Sequence, residues 1–124
     1  MKQLTRAEEQ VMQVLWDLEQ GYVRDILDKL PEPKSAYNTI STIVRILEKK
    51  GFVGYSAHGK AHEYYPLVSK KEYRRTYFKR VLSSYFGDSY MALTSFFTKE
   101  QDLSLEELEE IKKLIDEKIE QKKK

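Results

Sequence analysis

One stretch of the sequence carries polar and basic side chains at the spacing of a helix face. Within residues 36–50 these side chains recur every three or four positions. They are Asn38, Ser41, Thr42, Arg45 and Lys49, with Tyr37 at their edge. Short polar side chains and arginine hydrogen-bond to base edges in the major groove, which admits one α-helix, and lysine meets phosphates. The pattern predicts a DNA-contacting helix; the alternative is an ordinary solvated surface.

Neighbouring residues extend this candidate surface. Ser35 is typical of a helix N-cap and stands just before the polar face. Lys50 lies at the far end, where we expect it to meet phosphate. His58 and Lys60 stand at a tight turn further along the chain, and we expect them to touch the DNA backbone or an adjacent minor groove.

Charge is unevenly distributed along the chain. The net charge is only +2, which taken alone argues against nucleic acid. Residues 1–82, however, carry 15 Lys/Arg against 10 Asp/Glu, and residues 83–124 carry 7 against 10. Within 34–60 there are five basic residues and one acid, Glu48, with which Arg45 could alternatively pair. A basic half and an acidic half fit one DNA-binding and one non-binding region.

Two helices are predicted before the polar face. Thr5 and Glu8 form a capping-box pattern that begins a helix over 6–19, and Gly21 suits its end. A second helix over 23–30 ends because proline lacks the N–H that a helix needs. The prolines concerned are Pro31 and Pro33.

The third helix and the segment after it complete a recognisable order. The helix runs to about residue 50 and ends at Gly51. Its expected buried stripe consists of Ala36, Ile40, Ile43 and Leu47. The runs FVGYS and AHEYYP flank a Gly-Lys turn and predict a β-hairpin. Three helices followed by a hairpin is the order of a winged helix-turn-helix, which we expect over residues 1–68.

Residues 69–124 are predicted to form three amphipathic helices. A segment of this length rarely buries such apolar faces in a core of its own, so the faces need a partner. We therefore expect these helices to form a three-helix dimerisation domain that pairs with a second copy of the chain. The residues expected to contact the second copy are Tyr77, Val81, Tyr85, Phe96, Leu108, Ile111 and Ile115. The alternative is a monomer in which these helices pack back on the first domain.

Other chemistry has little support in the sequence. Without cysteine there is no thiolate metal site, and His58 and His62 lie in a hairpin, so we expect no metal or cofactor. Neither a Gly-rich phosphate loop nor a nucleophile elbow occurs, which argues against an enzyme. No run approaches about 18 apolar residues and the opening MKQLTRAEEQ lacks a signal-peptide core, so we expect a cytoplasmic protein without membrane insertion.

Two strings carry a family resemblance. SAYNTISTIVRILEKKGFV followed by GKAHEYYPLVSKKEY resembles the BlaI/MecI/CopY family of bacterial winged-helix repressors, and the similarity extends over nearly the whole chain. The resemblance implies a homodimer that binds operator dyads and represses genes for β-lactam resistance or copper handling. Because the copper-responsive branch uses a C-terminal cysteine cluster, the absence of thiols argues against that branch here.

The resemblance also implies a way to relieve repression. In the β-lactam-responsive branch a membrane sensor metalloprotease triggers cleavage at an Asn–Phe bond in the C-terminal domain. The nearest match here is Ser95–Phe96, where serine replaces asparagine. An apolar stretch of this kind is alternatively dimer core.

The sequence therefore predicts a dimeric repressor that acts on palindromic operators. Two other functions stay open at this point. A ligand-sensing winged-helix regulator would need a pocket, which Tyr73, Tyr77 and Phe86 could line. A protein-interaction adaptor would use the same fold without DNA and would not need the face from Asn38 to Arg45.

Overall fold

The computed structural model describes residues 1–32 and 35–124, so Pro33 and Lys34 lie outside the described residues. Its elements, in chain order, are α1 (Arg6–Leu18), α2 (Val23–Lys29), α3 (Tyr37–Lys49), β1 (Val53–His58), β2 (Ala61–Pro66), α4 (Lys70–Phe86), α5 (Tyr90–Lys99) and α6 (Leu105–Lys123). This order confirms the predicted fold class, which is mainly α with a small hairpin wing after the third helix.

α1 begins as predicted and ends differently. The Thr5 hydroxyl accepts from the Glu8 N–H at 3.2 Å, and the Glu8 carboxylate accepts from the Thr5 N–H at 2.9 Å. The residue with positive φ after the helix is Glu19 (φ 71°), so the expectation that Gly21 ends it is wrong. Gly21 instead exchanges two backbone hydrogen bonds with Tyr64, at 2.9 and 2.8 Å, and so attaches β2 to the loop before α2.

α3 buries one stripe of apolar residues and is closed by a Schellman motif. The buried side chains are Ile40, Val44 and Leu47. Of the predicted stripe, Ala36 is exposed because it is the N-cap, and Ile43 is half-buried because Val44 faces the core in its place. After the helix Gly51 adopts φ 82°. The Phe52 N–H donates to the Leu47 carbonyl at 2.9 Å, and the Gly51 N–H donates to the Glu48 carbonyl at 3.0 Å.

The wing is a two-residue hairpin. β1 and β2 pair antiparallel from Val53↔Pro66 to His58↔Ala61. Gly59, the first residue of the turn, has φ 64°, which a type II′ turn requires at that position. Gly54 lies opposite Tyr65, and an added Cβ there would come within 3.0 Å of the tyrosine ring, so glycine makes room for it.

The start of α4 packs against the core formed by α1–α3 and the hairpin. Tyr73 is buried, its ring lies 5.7 Å from that of Trp16 and 5.9 Å from that of Phe52, and its hydroxyl donates to Glu9 Oε1 at 2.9 Å. The Trp16 indole N–H donates to the Val68 carbonyl at 2.9 Å. These contacts hold the first turns of α4 against α1 and against Phe52, just after the C-terminal end of α3.

The chain divides into two compact units, Met1–Tyr77 and Phe78–Lys124. This division falls inside α4, because Tyr73 belongs to the core of the first unit. The boundary after residue 68 between a DNA-binding and a dimerisation domain stays a prediction. In the second unit Phe86 packs on Phe96 with ring centres 5.6 Å apart. Within α5 and α6 no residue is buried.

Candidate nucleic-acid interface

The polar face of α3 lies on the surface of the first unit. Its opposite side carries the buried stripe, so core packing fixes the orientation of the helix. The exposed residues on the polar face are Tyr37, Asn38, Thr42, Arg45 and Lys49, and Ser41 is half-buried among them. The five exposed side chains that the sequence assigned to this face are thus brought together and accessible.

Hydrogen bonds along the helix orient two of these side chains. Arg45 Nη2 donates to Ser41 Oγ at 3.0 Å, which leaves the other N–H groups of the guanidinium available. Thr42 Oγ1 donates to the Asn38 carbonyl at 3.0 Å, so its lone pairs can still accept. Within the described residues no ion pair joins Arg45 to Glu48, and Arg45 keeps its free charge for an anion.

The N-terminal end of α3 differs from the prediction. The N-cap is Ala36, which makes no side-chain hydrogen bond to the helix, so the expectation that Ser35 caps it is wrong. Since the helix begins at Tyr37, Ser35 stands one position before the cap. Ser35 is exposed there.

Lys50 has a structural partner. Its Nζ lies 2.6 Å from Glu8 Oε1 and 3.2 Å from the Gln3 carbonyl, and its side chain is 22% exposed. Burial by itself raises the pKa of Glu8, but hydrogen bonds from Lys50 and Thr5 and the charge of Lys50 outweigh it, so the pKa lies below its ordinary 4.5. This contact joins the end of α3 to the start of α1 and occupies the ammonium group that the sequence assigned to phosphate.

The wing carries an exposed lysine at its turn, an ion-pair contact across its strands and a ring stack. Lys60 is exposed at the turn. His58 Nε2 lies 3.3 Å from Glu63 Oε1 on the opposite strand, with half of the histidine side chain exposed. The His62 ring stacks on Tyr55 at 4.1 Å between centres. These contacts stiffen the wing beside α3.

A groove of about 610 Å³ runs between α2, α3 and the wing. Arg45 and Lys60 both line it, so α3 and the wing face one concave surface. It also contains Arg24 of α2, whose guanidinium lies 5.8 Å above the Tyr37 ring, a cation–π contact. Sequence reasoning missed Arg24; its position in the first turn of the preceding helix was the available signal, because that helix crosses the DNA backbone in helix-turn-helix proteins.

The residues predicted to form a dimer contact are largely exposed. Tyr85 is 79% exposed and Ile115 51%. Tyr77, Phe96 and Leu108 are also exposed, and Val81 and Ile111 are half-buried. Leu105, Leu114, Tyr90 and Met91, which are outside the predicted set, are similarly open. Leu105 and Leu114 lie on α6 outside the stripe that periodicity indicates, and Tyr90 and Met91 lie at the start of α5.

The bond between Ser95 and Phe96 lies in the middle of α5. Ser95 is half-buried, Phe96 is 39% exposed, and the helix around them is hydrogen-bonded. A protease could reach this bond only after α5 unfolds locally.

Neither a metal centre nor a membrane-spanning helix is found in residues 1–32 and 35–124. In that part of the chain no group of three or more His, Cys, Asp or Glu side chains is arranged to hold a metal ion. No helix there is long and apolar enough to cross a membrane.

Comparison with known proteins decides the family. The family model described as penicillinase repressor matches residues 4–117. The chain belongs to the penicillinase repressor family. Members of this family are transcriptional repressors, so the protein is a repressor and not an enzyme, as the sequence predicted.

Individual members of the penicillinase repressor family match over almost their full length. The methicillin resistance regulatory protein MecI of Staphylococcus aureus is 26% identical over 117 residues, which cover 94% of this chain and 95% of that protein. The penicillinase repressor of Bacillus licheniformis is 24% identical over 122 residues, covering 98% and 95%. A solved CopR repressor structure is 29% identical and covers 55% of this chain and all of its own, with a TM-score of 0.46.

Proposed function

We propose that this repressor binds operator DNA through the polar face of α3 and the adjoining wing. The observation that carries the proposal is the exposed set from Asn38 to Lys49 on a helix whose other side is locked into the core. Asn38 is suited to an adenine edge and Arg45 to a guanine edge, and Thr42 to either. Lys49 and Lys60 supply phosphate contacts. Lys50 is left out of this set because Glu8 holds it.

The active species in this proposal is a homodimer on a palindromic operator. The exposed apolar residues of α4–α6 support it, since a second copy would remove them from water. Two copies of α3 would then enter successive major grooves about 34–36 Å apart. Loss of the dimer would lower affinity because each half-site would be bound independently.

Target genes, location and relief of repression belong to the same proposal. The names of the relatives concern penicillinase and methicillin resistance, which favours β-lactam resistance genes as targets. The repressor would act in the cytoplasm, because the operator DNA lies there. Relief of repression by cleavage at Ser95–Phe96, triggered by a membrane sensor metalloprotease, stays a prediction and requires α5 to unfold first.

Two substitutions on the interface test the proposal. Arg45→Ala should weaken binding to the upstream DNA of the chain's own gene by roughly 1–3 kcal/mol and relax sequence preference, because it removes a base contact. Lys60→Ala should weaken operator and unrelated duplexes alike, since phosphate carries no sequence information. Fluorescence anisotropy on both duplexes over a range of salt concentrations measures these effects. A wild-type protein that binds every duplex equally, without dependence on salt, contradicts the proposal.

The two alternative functions have weaker support. Of the three residues expected to line a ligand pocket, Tyr73 and Tyr77 border a cavity of only about 200 Å³ in the first unit, where Tyr73 is part of the core. Phe86 belongs to the second unit and packs on Phe96 there. An adaptor that does not bind DNA would retain its partner after Arg45→Ala, so the same variant distinguishes that function.

A further inference from the structure

The first two turns of α4 carry a dense group of cations outside the interface described above. Between residues 70 and 80 there are six Lys/Arg and a single acid, Glu72. Four of the cations lie in the first unit, and all four are exposed. We name them the basic stripe: Lys70, Lys71, Arg74 and Arg75. Within residues 1–32 and 35–124 no ion pair joins the basic stripe to an acid.

The single acid of this segment is used at the helix start. Glu72 Oε1 accepts from Ser69 Oγ at 3.3 Å, and the Ser69 hydroxyl accepts from the Glu72 N–H at 3.0 Å. This is a local cap that satisfies a backbone donor. The basic stripe therefore keeps its charge exposed to solvent.

The placement of the basic stripe works against helix formation. Lys70 and Arg74, and likewise Lys71 and Arg75, are like charges four residues apart, which repel on a helix surface. Lys70 and Lys71 also lie in the first turn of α4, where the positive end of the helix dipole disfavours cations. Residues that oppose local stability in this way are expected where they serve a function.

Another helix of the same chain shows the opposite arrangement. α6 has Glu106 and Glu107 in its first turn and Lys122 and Lys123 in its last, as the dipole favours. The placement of cations at the start of α4 is therefore not shared by the other long helix of the chain.

The core holds the basic stripe in a fixed place relative to α3. Tyr73, which lies between its members in sequence, is buried against Trp16 and Phe52. Phe52 lies three residues after the end of α3. Its carbonyl oxygen accepts a hydrogen bond from the Leu67 N–H at 2.8 Å. A rigid cationic surface in the same unit as the DNA-contacting helix fits a regularly charged polyanion.

We propose that the basic stripe binds backbone phosphates of the operator duplex outside the base pairs that α3 contacts. This inference rests on the proposed DNA-binding function and extends it with a second contact region. The stripe adds affinity and salt dependence without sequence preference, because its partners are phosphates. The footprint on DNA is correspondingly longer than α3 and the wing alone would give.

The test compares two variants that lose the same net charge. One carries Lys70→Gln, Lys71→Gln, Arg74→Gln and Arg75→Gln; the control carries Lys118→Gln, Lys122→Gln, Lys123→Gln and Lys124→Gln. Anisotropy is measured from low to moderate salt on the upstream DNA of the gene and on an unrelated duplex of about 30 base pairs, which spans roughly three helical turns. Thermal unfolding and sedimentation of each full-length protein accompany the binding curves.

The stripe variant should lose affinity on both duplexes, on the order of 10–100-fold at about 0.1 M salt, and its salt slope should fall by about 2–4. The stripe variant should keep the wild-type preference for the upstream DNA over the unrelated duplex. The control variant should keep the wild-type salt slope. The melting temperature of the stripe variant should be equal to or above that of the wild type, because repulsion within α4 is relieved.

Other outcomes overturn the inference separately from the proposed function. An unchanged slope in the stripe variant, with the wild type still binding DNA, refutes the basic stripe alone. Loss of self-association with unchanged DNA binding assigns the stripe to an acidic surface of a second copy and also refutes it. A wild-type protein that binds neither duplex refutes the proposed function and this inference together.

Discussion

At the scale of residues, the contact of Glu8 with Lys50 joins two helices by one charge pair. The Glu8 side chain is 6% exposed and also caps α1, so its carboxylate satisfies both Lys50 and the Thr5 N–H. A buried carboxylate deprived of its partner would be costly. The pair therefore stabilises the position of the end of α3, which carries the proposed phosphate contact Lys49.

This pair predicts a dependence of stability on pH. Because the pKa of Glu8 is lower in the folded protein than its ordinary 4.5, the folded state binds fewer protons there. The stabilisation is complete above about pH 4.5 and is lost as the pH falls through the lowered value. Glu8→Gln should cost about 1–2 kcal/mol at pH 7 and progressively less below pH 4.5. Urea unfolding between pH 3 and pH 7 measures the difference.

The matched control for this measurement is Asp17→Asn, on an exposed position of the same helix. It should leave the unfolding midpoint close to that of the wild type at each pH. If the cost of Glu8→Gln were the same at pH 3 and pH 7, the ion pair would not be its cause.

Single residues were the hardest feature to predict from sequence. The types on α3 predicted its exposed face, since Asn38, Thr42 and Arg45 lie where periodicity put them. Lys50 and Arg24 could not be assigned in the same way. The partner of Lys50 lies 42 residues away in the chain, and Arg24 meets Tyr37 only once α2 and α3 are packed. Contacts between elements are fixed by tertiary packing, which a local pattern does not contain.

At the scale of elements, the exit from α3 depends on one glycine. Gly51 has φ 82°, and an added Cβ would have no atom within 4 Å. The cost of Gly51→Ala should therefore come from the backbone alone, about 1–2 kcal/mol, whereas Gly51→Asn should cost less because asparagine tolerates this region. Thermal unfolding of both variants checks the order. Equal stability of the alanine variant and the wild type would contradict the role given to Gly51.

Helix and strand positions followed from periodicity and capping. α1 and α2 end one residue before their predicted ends, and the hairpin turn falls at Gly59 as expected. The predicted phase of α3 is partly wrong, because Ala36 is the exposed N-cap and not a buried residue, and Ser35 lies before the cap. Two adjacent β-branched residues, Ile43 and Val44, left the sequence ambiguous about which of them faces the core.

At the scale of the molecule, the two units differ in how completely they bury their apolar residues. The first unit has a contiguous core, whereas α5 and α6 bury none of their residues. Sequence reasoning separated a DNA-binding half from a helical half by charge and composition. The position of the division depended on Tyr73, whose burial against Trp16 periodicity alone does not show.

The open apolar residues of the second unit give the last prediction. Ile115 is 51% exposed on α6, and a buried glutamate at that position would be unpaired in the proposed dimer. Ile115→Glu should convert the dimer to a monomer and lower affinity for a two-half-site operator by about 10²–10⁴-fold, with binding to one half-site unchanged. Sedimentation equilibrium and anisotropy on both duplexes measure this. Glu117→Lys, on an exposed polar position of the same helix, is the control and should remain dimeric. A wild-type protein that sediments as a monomer while binding both half-sites with full affinity would show that the apolar faces of α4–α6 do not join two copies.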